Sequence, residues 1–214
     1  MSGYTKEELD ERGHPVWAEI DLEALRHNIR TLDSLAGAAE VIGVVKGYAY
    51  GHGNPASAVA MLEGGATRLG VARLAEAIHL RQAGIDVPVH LFTEPPPQAV
   101  EGVVEADVTA TVYTSSFARA LSDAATTAGK VVPVHLKVDT GMHRVGLQPD
   151  DLDDAVEELR SLPGLELEGL WSHFAVADQP DDEFNSKQLD LFEGLSERVK
   201  ARGVQIRFRH MANS

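Results

Sequence analysis

The stretch Val41-Ile-Gly-Val-Val-Lys-Gly-Tyr-Ala-Tyr-Gly-His-Gly-Asn-Pro55 joins an apolar run to a helical pattern through a glycine-rich turn carrying one lysine. Val41 to Val45 read as a buried strand, and Ala56-Ser-Ala-Val-Ala-Met-Leu62 as the next helix. Lys46 stands where the strand ends. An amine fixed there can attack a carbonyl when its surroundings keep part of it unprotonated. The Gly51-His-Gly53 turn before Asn54-Pro55 places backbone N–H groups at a helix N-terminus, which suits a phosphate. An amine beside a phosphate seat is what pyridoxal phosphate requires. A surface-facing lysine in an ordinary βα loop gives the same pattern.

Working outward, the same strand-then-helix unit recurs. Apolar strand-like runs fall at 41–45, 69–72, 87–92, 108–113, 131–138, 165–171 and about 205–211. Helical periodicity separates them, most clearly over 151–161 (Leu152, Ala155, Val156, Leu159) and about 186–202 (Phe192, Leu195, Val199, stopped by Gly203). Asp21 is placed to cap a helix whose face is Leu25, Ile29 and Leu32. Near-continuous apolar strands alternating with helices describe a parallel sheet covered by helices. That leaves a doubly wound sheet or a (β/α)8 TIM-type barrel. The dinucleotide fingerprint Gly-x-Gly-x-x-Gly is missing, and polar residues gather at the carboxyl ends of several strands, which favours the barrel. Seven of its eight strands are found.

The 214 residues, 43% of them hydrophobic, supply ample core. A formal charge of −14 without any basic run argues against nucleic acid and anionic membranes as partners. With no cysteine there are no disulfides, thiolate metal sites or cysteine nucleophiles. Residues 1–15 read as a polar, acidic leader, unlike a signal or transit sequence. Val16-Trp-Ala-Glu-Ile20 alternates like a half-exposed strand. No apolar stretch approaches a membrane span, so the expected location is the cytoplasm. The nine histidines show no His-Glu-x-x-His pattern, and no metal is expected.

A second cluster is His135-Leu-Lys-Val-Asp-Thr-Gly-Met-His-Arg-Val-Gly-Leu147. Strand periodicity sets His135, Lys137 and Asp139 on one face, and the turn at Thr140-Gly141 returns Arg144 to the same mouth. A Lys–Asp pair at a barrel end accounts for the pattern equally well. Leu170-Trp-Ser-His-Phe-Ala175 ends the sixth strand with His173, and Arg209-His-Met-Ala-Asn-Ser214 closes the seventh.

Together, Val44-Val-Lys-Gly-Tyr-Ala-Tyr-Gly-His-Gly53, the 135–146 segment, and Ser172-His-Phe-Ala175 with His210-Met-Ala-Asn-Ser214 resemble alanine racemase, a fold-type III pyridoxal phosphate family. The similarity runs from about Val16 to the last residue. The resemblance implies interconversion of L- and D-alanine on pyridoxal 5'-phosphate, with Lys46 as Schiff-base lysine and one of two proton-transfer bases. It implies Tyr50, Asn213 and Ser214 at the cofactor phosphate, Arg144 near the phenolic oxygen and His173 under the pyridine ring. Lys137, a carbamate in some members, neighbours Arg144, and His210 is a support behind the site.

The resemblance also implies a homodimer in the full-length form, a second base from a partner subunit, and an arginine beyond Ser214 at the ring nitrogen. The expected organisation is thus a leader over 1–15, a strand over 16–20 belonging to a missing C-terminal β-domain, and a truncated barrel over 21–214. This chain alone is expected to be inactive. One departure from the family lies at Tyr48, where a phenol replaces a small polar residue near the reactive lysine. It keeps open a racemase for larger side chains or a D-threonine aldolase. A non-catalytic pyridoxal phosphate-binding fragment is the third reading.

Overall fold

The computed structural model describes residues 5–11, 13 and 16–212. Asn213 and Ser214, the expected phosphate pair, lie outside the described residues. Seven strands form one sheet: β1 (Ile42–Val44), β2 (Arg68–Val71), β3 (Val89–Leu91), β4 (Thr109–Val112), β5 (Val132–Lys137), β6 (Leu165–Trp171) and β7 (Phe208–His210). Each pairs in parallel with its neighbour in chain order, and β1 and β7 are the two edges. A doubly wound sheet reverses its order at a switch point. Unbroken order is that of a barrel, in agreement with the polar residues at the strand ends.

Helices return the chain on the outside: α2 (Leu22–Ala36) before β1, then α4 (Asn54–Glu63), α5 (Leu74–Gln82), α6 (Val100–Glu105), α7 (Ser115–Thr127), α8 (Leu152–Ser161) and α9 (Glu183–Ala201). Asp21 caps α2 as expected, its Oδ1 accepting from the N–H groups of Glu23 and Ala24 at 2.9 and 3.1 Å. The core lies between sheet and helices, where Leu69, Val71, Leu91, Val134 and Leu170 meet Leu80, Phe117, Leu121, Val156 and Leu195, all buried. Each such side chain contributes about 1.5–3 kcal/mol over an exposed one.

The barrel interior is polar and aromatic. The rings of His90, Phe92, His135, Trp171, Phe208 and His210 pack at centroid distances of 4.5–5.8 Å. Gly169 makes room for one of them, since a β-carbon there would come within 2.5 Å of the His135 ring. Between Val134 and His135 the register on β6 jumps from Leu167 to Gly169, a bulge that leaves Glu168 as the extra residue.

Val16–Ile20, expected to pair within a separate β-domain, takes no regular secondary structure, and a short helix, α1 (Lys6–Glu11), precedes it. Alternation is a side-chain pattern, whereas a strand also needs a ladder partner for its backbone. None of the described residues pairs with 16–20 in the sheet.

Candidate active site

Lys46 leaves the sheet at the carboxyl end of β1, where the buried Val45 donates its N–H to the Gly70 carbonyl at 2.9 Å. The chain then enters α3 (Lys46–Tyr50), a single turn wound in the left-handed sense, with φ of 61° at Gly47, 55° at Tyr48, 53° at Ala49 and 54° at Tyr50. It is closed by Ala49 N–H to Val45 O at 2.9 Å and Gly51 N–H to Gly47 O at 3.1 Å. Each non-glycine residue in this region costs about 1–2 kcal/mol, so Tyr48, Ala49 and Tyr50 need external support. Glu76 of α5 supplies part of it. One carboxylate oxygen accepts from Gly47 N–H at 2.6 Å, and the other from Ala72 and Arg73 N–H at 2.9 and 3.0 Å.

The two tyrosines of the turn separate. Tyr50 holds its ring 5.8 Å from Lys46 Nζ. Tyr48 is exposed, its ring edge-on to His79 of α5 at 6.1 Å, so the phenol expected near the reactive amine is turned onto a neighbouring helix. Helix α4 then begins after Gly53 with no side-chain cap. The buried amide of Asn54 and hydroxyl of Ser57 have no hydrogen-bond partner among the described residues.

The opposite side of the mouth is braced differently. Lys137 ends β5 buried, with Nζ 3.7 Å above the Trp171 ring. Leu147 and the 137–139 backbone exchange hydrogen bonds of 2.9 Å, which folds the 140–146 loop back on itself. The Asp139 carboxylate is spent within that loop, accepting from Gly141 and His143 N–H at 2.9 and 3.1 Å. Burial raises its pKa, but these backbone donors and His143 outweigh that and hold it below the ordinary value. Gln188 of α9 donates to Thr140 Oγ1 and His173 O, both at 3.2 Å, and accepts from Ala175 N–H at 2.9 Å. Thr140 and Ser172 hydroxyls meet at 2.7 Å. One buried amide thus joins the loops that carry Arg144 and His173.

Electrostatic interaction links Lys46, Lys137, Arg144 and His173. Burial, then Arg144 and Lys46, lower Lys137 to about 8, with Asp139 opposing. Burial, then Lys137, Arg144 and Lys46, lower His173 to about 4. His173 is therefore neutral at pH 7, disfavoured as a cation by burial and by Lys137, Arg144 and Lys46.

Below the mouth runs a hydrogen-bonded chain that the sequence pattern does not reveal. His210 Nε2 and His135 Nδ1 lie 2.8 Å apart, and His135 Nε2 is 3.3 Å from Glu168 Oε2, while Arg68 pairs with the other oxygen of Glu168 at 3.4 Å. The ionised carboxylate only accepts, so His135 carries its proton on Nε2 and receives one from His210 on Nδ1. Burial, followed by His135, Lys137 and Arg68, lowers His210 to about 3. The expected support behind the site is thus a neutral imidazole. His90, His135 and His210 bring ligand nitrogens within 4.8 Å of one another, a grouping that could hold a metal and that the absent His-Glu-x-x-His pattern does not rule out. The facing nitrogens of His135 and His210 are engaged with each other.

Sequence pattern does not mark Glu76, Gln188 or Glu168 as site residues, and it marks His135 only as inward-facing. Glu76 lies at the third position of α5, where sequence signals only a helix cap. The donor set fits an aldehyde-bearing phosphate: a half-buried amine, cations for anionic oxygens, and a neutral imidazole.

The pattern of the family described as alanine racemase, N-terminal domain, matches residues 20–214. The alanine racemase of Clostridium tetani is 40% identical over 201 residues, covering 94% of this chain and 52% of that protein. A structure of Clostridium difficile alanine racemase in complex with cycloserine superposes with a TM-score of 0.89 at 36% identity, over 94% of this chain and 56% of that one. The histidine racemase of Leuconostoc mesenteroides superposes at 0.82 with 30% identity, over 90% and 51%. The chain spans about half the length of the curated relatives it matches. With a sequential parallel barrel, a lysine at the end of its first strand and this match over most of its length, the chain belongs to the alanine racemase N-terminal domain family.

Proposed function

We propose that this chain forms the cofactor-bearing part of a pyridoxal phosphate-dependent amino-acid racemase acting on alanine. The observation that carries the reading is that Lys46, Lys137 and His173 stand at the carboxyl ends of β1, β5 and β6, with Arg144 in the loop that follows β5. When bound, pyridoxal 5'-phosphate supplies an electron-withdrawing ring that makes the α-proton of an attached amino acid removable.

The chain's own residues then have distinct tasks. Lys46 holds the cofactor covalently and takes or returns the α-proton on one face. Tyr50, with Asn213 and Ser214, binds the phosphate, and Arg144 binds the phenolic oxygen. His173 stays neutral against the ring and adds no positive charge. Lys137, with its pKa near 8, has an amine fraction able to take up carbon dioxide as a carbamate, whose negative charge would pair with Arg144. We assign the base on the other face to residues outside this sequence, contributed by a partner subunit of a homodimer. A cytoplasmic enzyme supplying D-alanine is the corresponding cellular role.

Purified full-length protein should exchange the α-hydrogen of alanine for deuterium in heavy water, and Lys46→Ala should abolish the exchange. Exchange that survives the substitution contradicts the reading. A second reading, a racemase for a larger side chain, draws support from the histidine racemase likeness. Comparing exchange rates across alanine, histidine and threonine separates the two, and retro-aldol cleavage of threonine would indicate an aldolase instead.

A further inference from the structure

We propose that Glu76 is a positioning residue for Lys46: its carboxylate ties the left-handed turn carrying the lysine to the start of α5. The turn's conformation is unfavourable to three of its own residues, Tyr48, Ala49 and Tyr50, all with positive φ. A segment of this kind persists only where its surroundings determine it. Glu76 grips the turn at its first left-handed residue, through Gly47 N–H at 2.6 Å. Its second oxygen is committed to Ala72 and Arg73 at the head of α5, so the carboxylate is a bridge between two loops and not a cap alone. One helical turn later, His79 receives the edge of Tyr48. Successive turns of α5 thus hold successive residues of the lysine turn. This gives Tyr48 a role as an anchor away from the reacting amine. The direction in which Lys46 leaves β1 is set by that clamp, because the lysine is the residue immediately before Gly47.

The roles of Glu76 can be separated. Glutamine serves a capping box as well as glutamate does, but its single carbonyl oxygen cannot serve both loops, and its NH2 would face an N–H. Glu76→Gln should therefore keep α5 and lose the turn. Hydrogen exchange at the amides of 47–53 should quicken about 10- to 100-fold, the size of a hydrogen bond to a charged group, while amides within α5 change little.

The link to Lys46 rests on the function proposed above and has its own readout. The rate at which pyridoxal phosphate is trapped on Lys46 by borohydride should fall in Glu76→Gln by more than the affinity for pyridoxamine phosphate, which has no aldehyde. Equal losses in both would mean general damage and overturn the positioning role. Unchanged exchange at 47–53 in Glu76→Gln would overturn the clamp itself. Should parent protein never be labelled at Lys46, the proposed function fails, while the exchange measurement still decides whether Glu76 holds the turn.

Discussion

The two sides of the barrel mouth are built on opposite principles. At the end of β1 the chemistry rides on an exposed turn, with Tyr48 and Tyr50 63% and 61% accessible, wound against its residues' preference and held from α5. At the ends of β5 and β6, Lys137, Thr140 and Ser172 are at most 5% accessible and cross-braced by Gln188. The difference teaches how labour is divided. The turn after Lys46 depends on contacts from a neighbouring helix. The loops that carry Arg144 and His173 are fixed instead by buried hydrogen bonds.

The braced side should be the more sensitive to substitution. Gln188→Leu strands the Ala175 N–H and the His173 carbonyl, while Thr140 keeps its bond to Ser172, and should lower stability by about 2–4 kcal/mol in chemical denaturation. Gly141→Ala comes next. Its φ is 133°, and an added β-carbon would lie 2.6 Å from the Phe184 ring, so a loss of about 1–3 kcal/mol is expected. Tyr48→Ala, on the turn side, should change stability by no more than about 0.5 kcal/mol. Equal losses on both sides would break the contrast.

Titration sharpens it further. Lys137 should ionise near pH 8, where an exposed lysine does so near 10.5, and Arg144→Gln should raise the value by removing a neighbouring cation. Chemical-shift titration of the labelled lysine measures both. Stability should also depend on pH. His173 and His210 have folded pKa values of about 4 and about 3, below the unfolded 6.5. The unfolded chain therefore binds the extra protons as pH falls below 6.5, and stability is lost progressively toward pH 4. His173→Gln should flatten that part of the Tm profile.

Much of the fold is legible because buried parallel strands are written as continuous apolar runs. All seven predicted runs contain or overlap an observed strand, from 42–44 inside 41–45 to 208–210 inside 205–211. Val16–Ile20 alternates without a ladder partner among the described residues. Lys46, Tyr50, Lys137, Arg144 and His173 are singled out by the order of motifs, and Lys46, Lys137 and His173 stand at the carboxyl ends of β1, β5 and β6. Glu76 and Gln188 are not legible. Each looks like an ordinary polar residue on a helix, and its value lies in contacts 29 and 48 residues away in sequence. The left-handed turn is equally hidden, since Tyr48-Ala49-Tyr50 gives no local sign of positive φ.

The central claim is that Lys46 is the amine that holds pyridoxal phosphate at this mouth. Incubating the protein with pyridoxal phosphate, reducing with borohydride and mapping the modified peptide tests it directly. The expected result is stoichiometric label on Lys46 and a loss of that label in Lys46→Ala. Label confined to surface lysines, with Lys46 unmodified, would contradict the account.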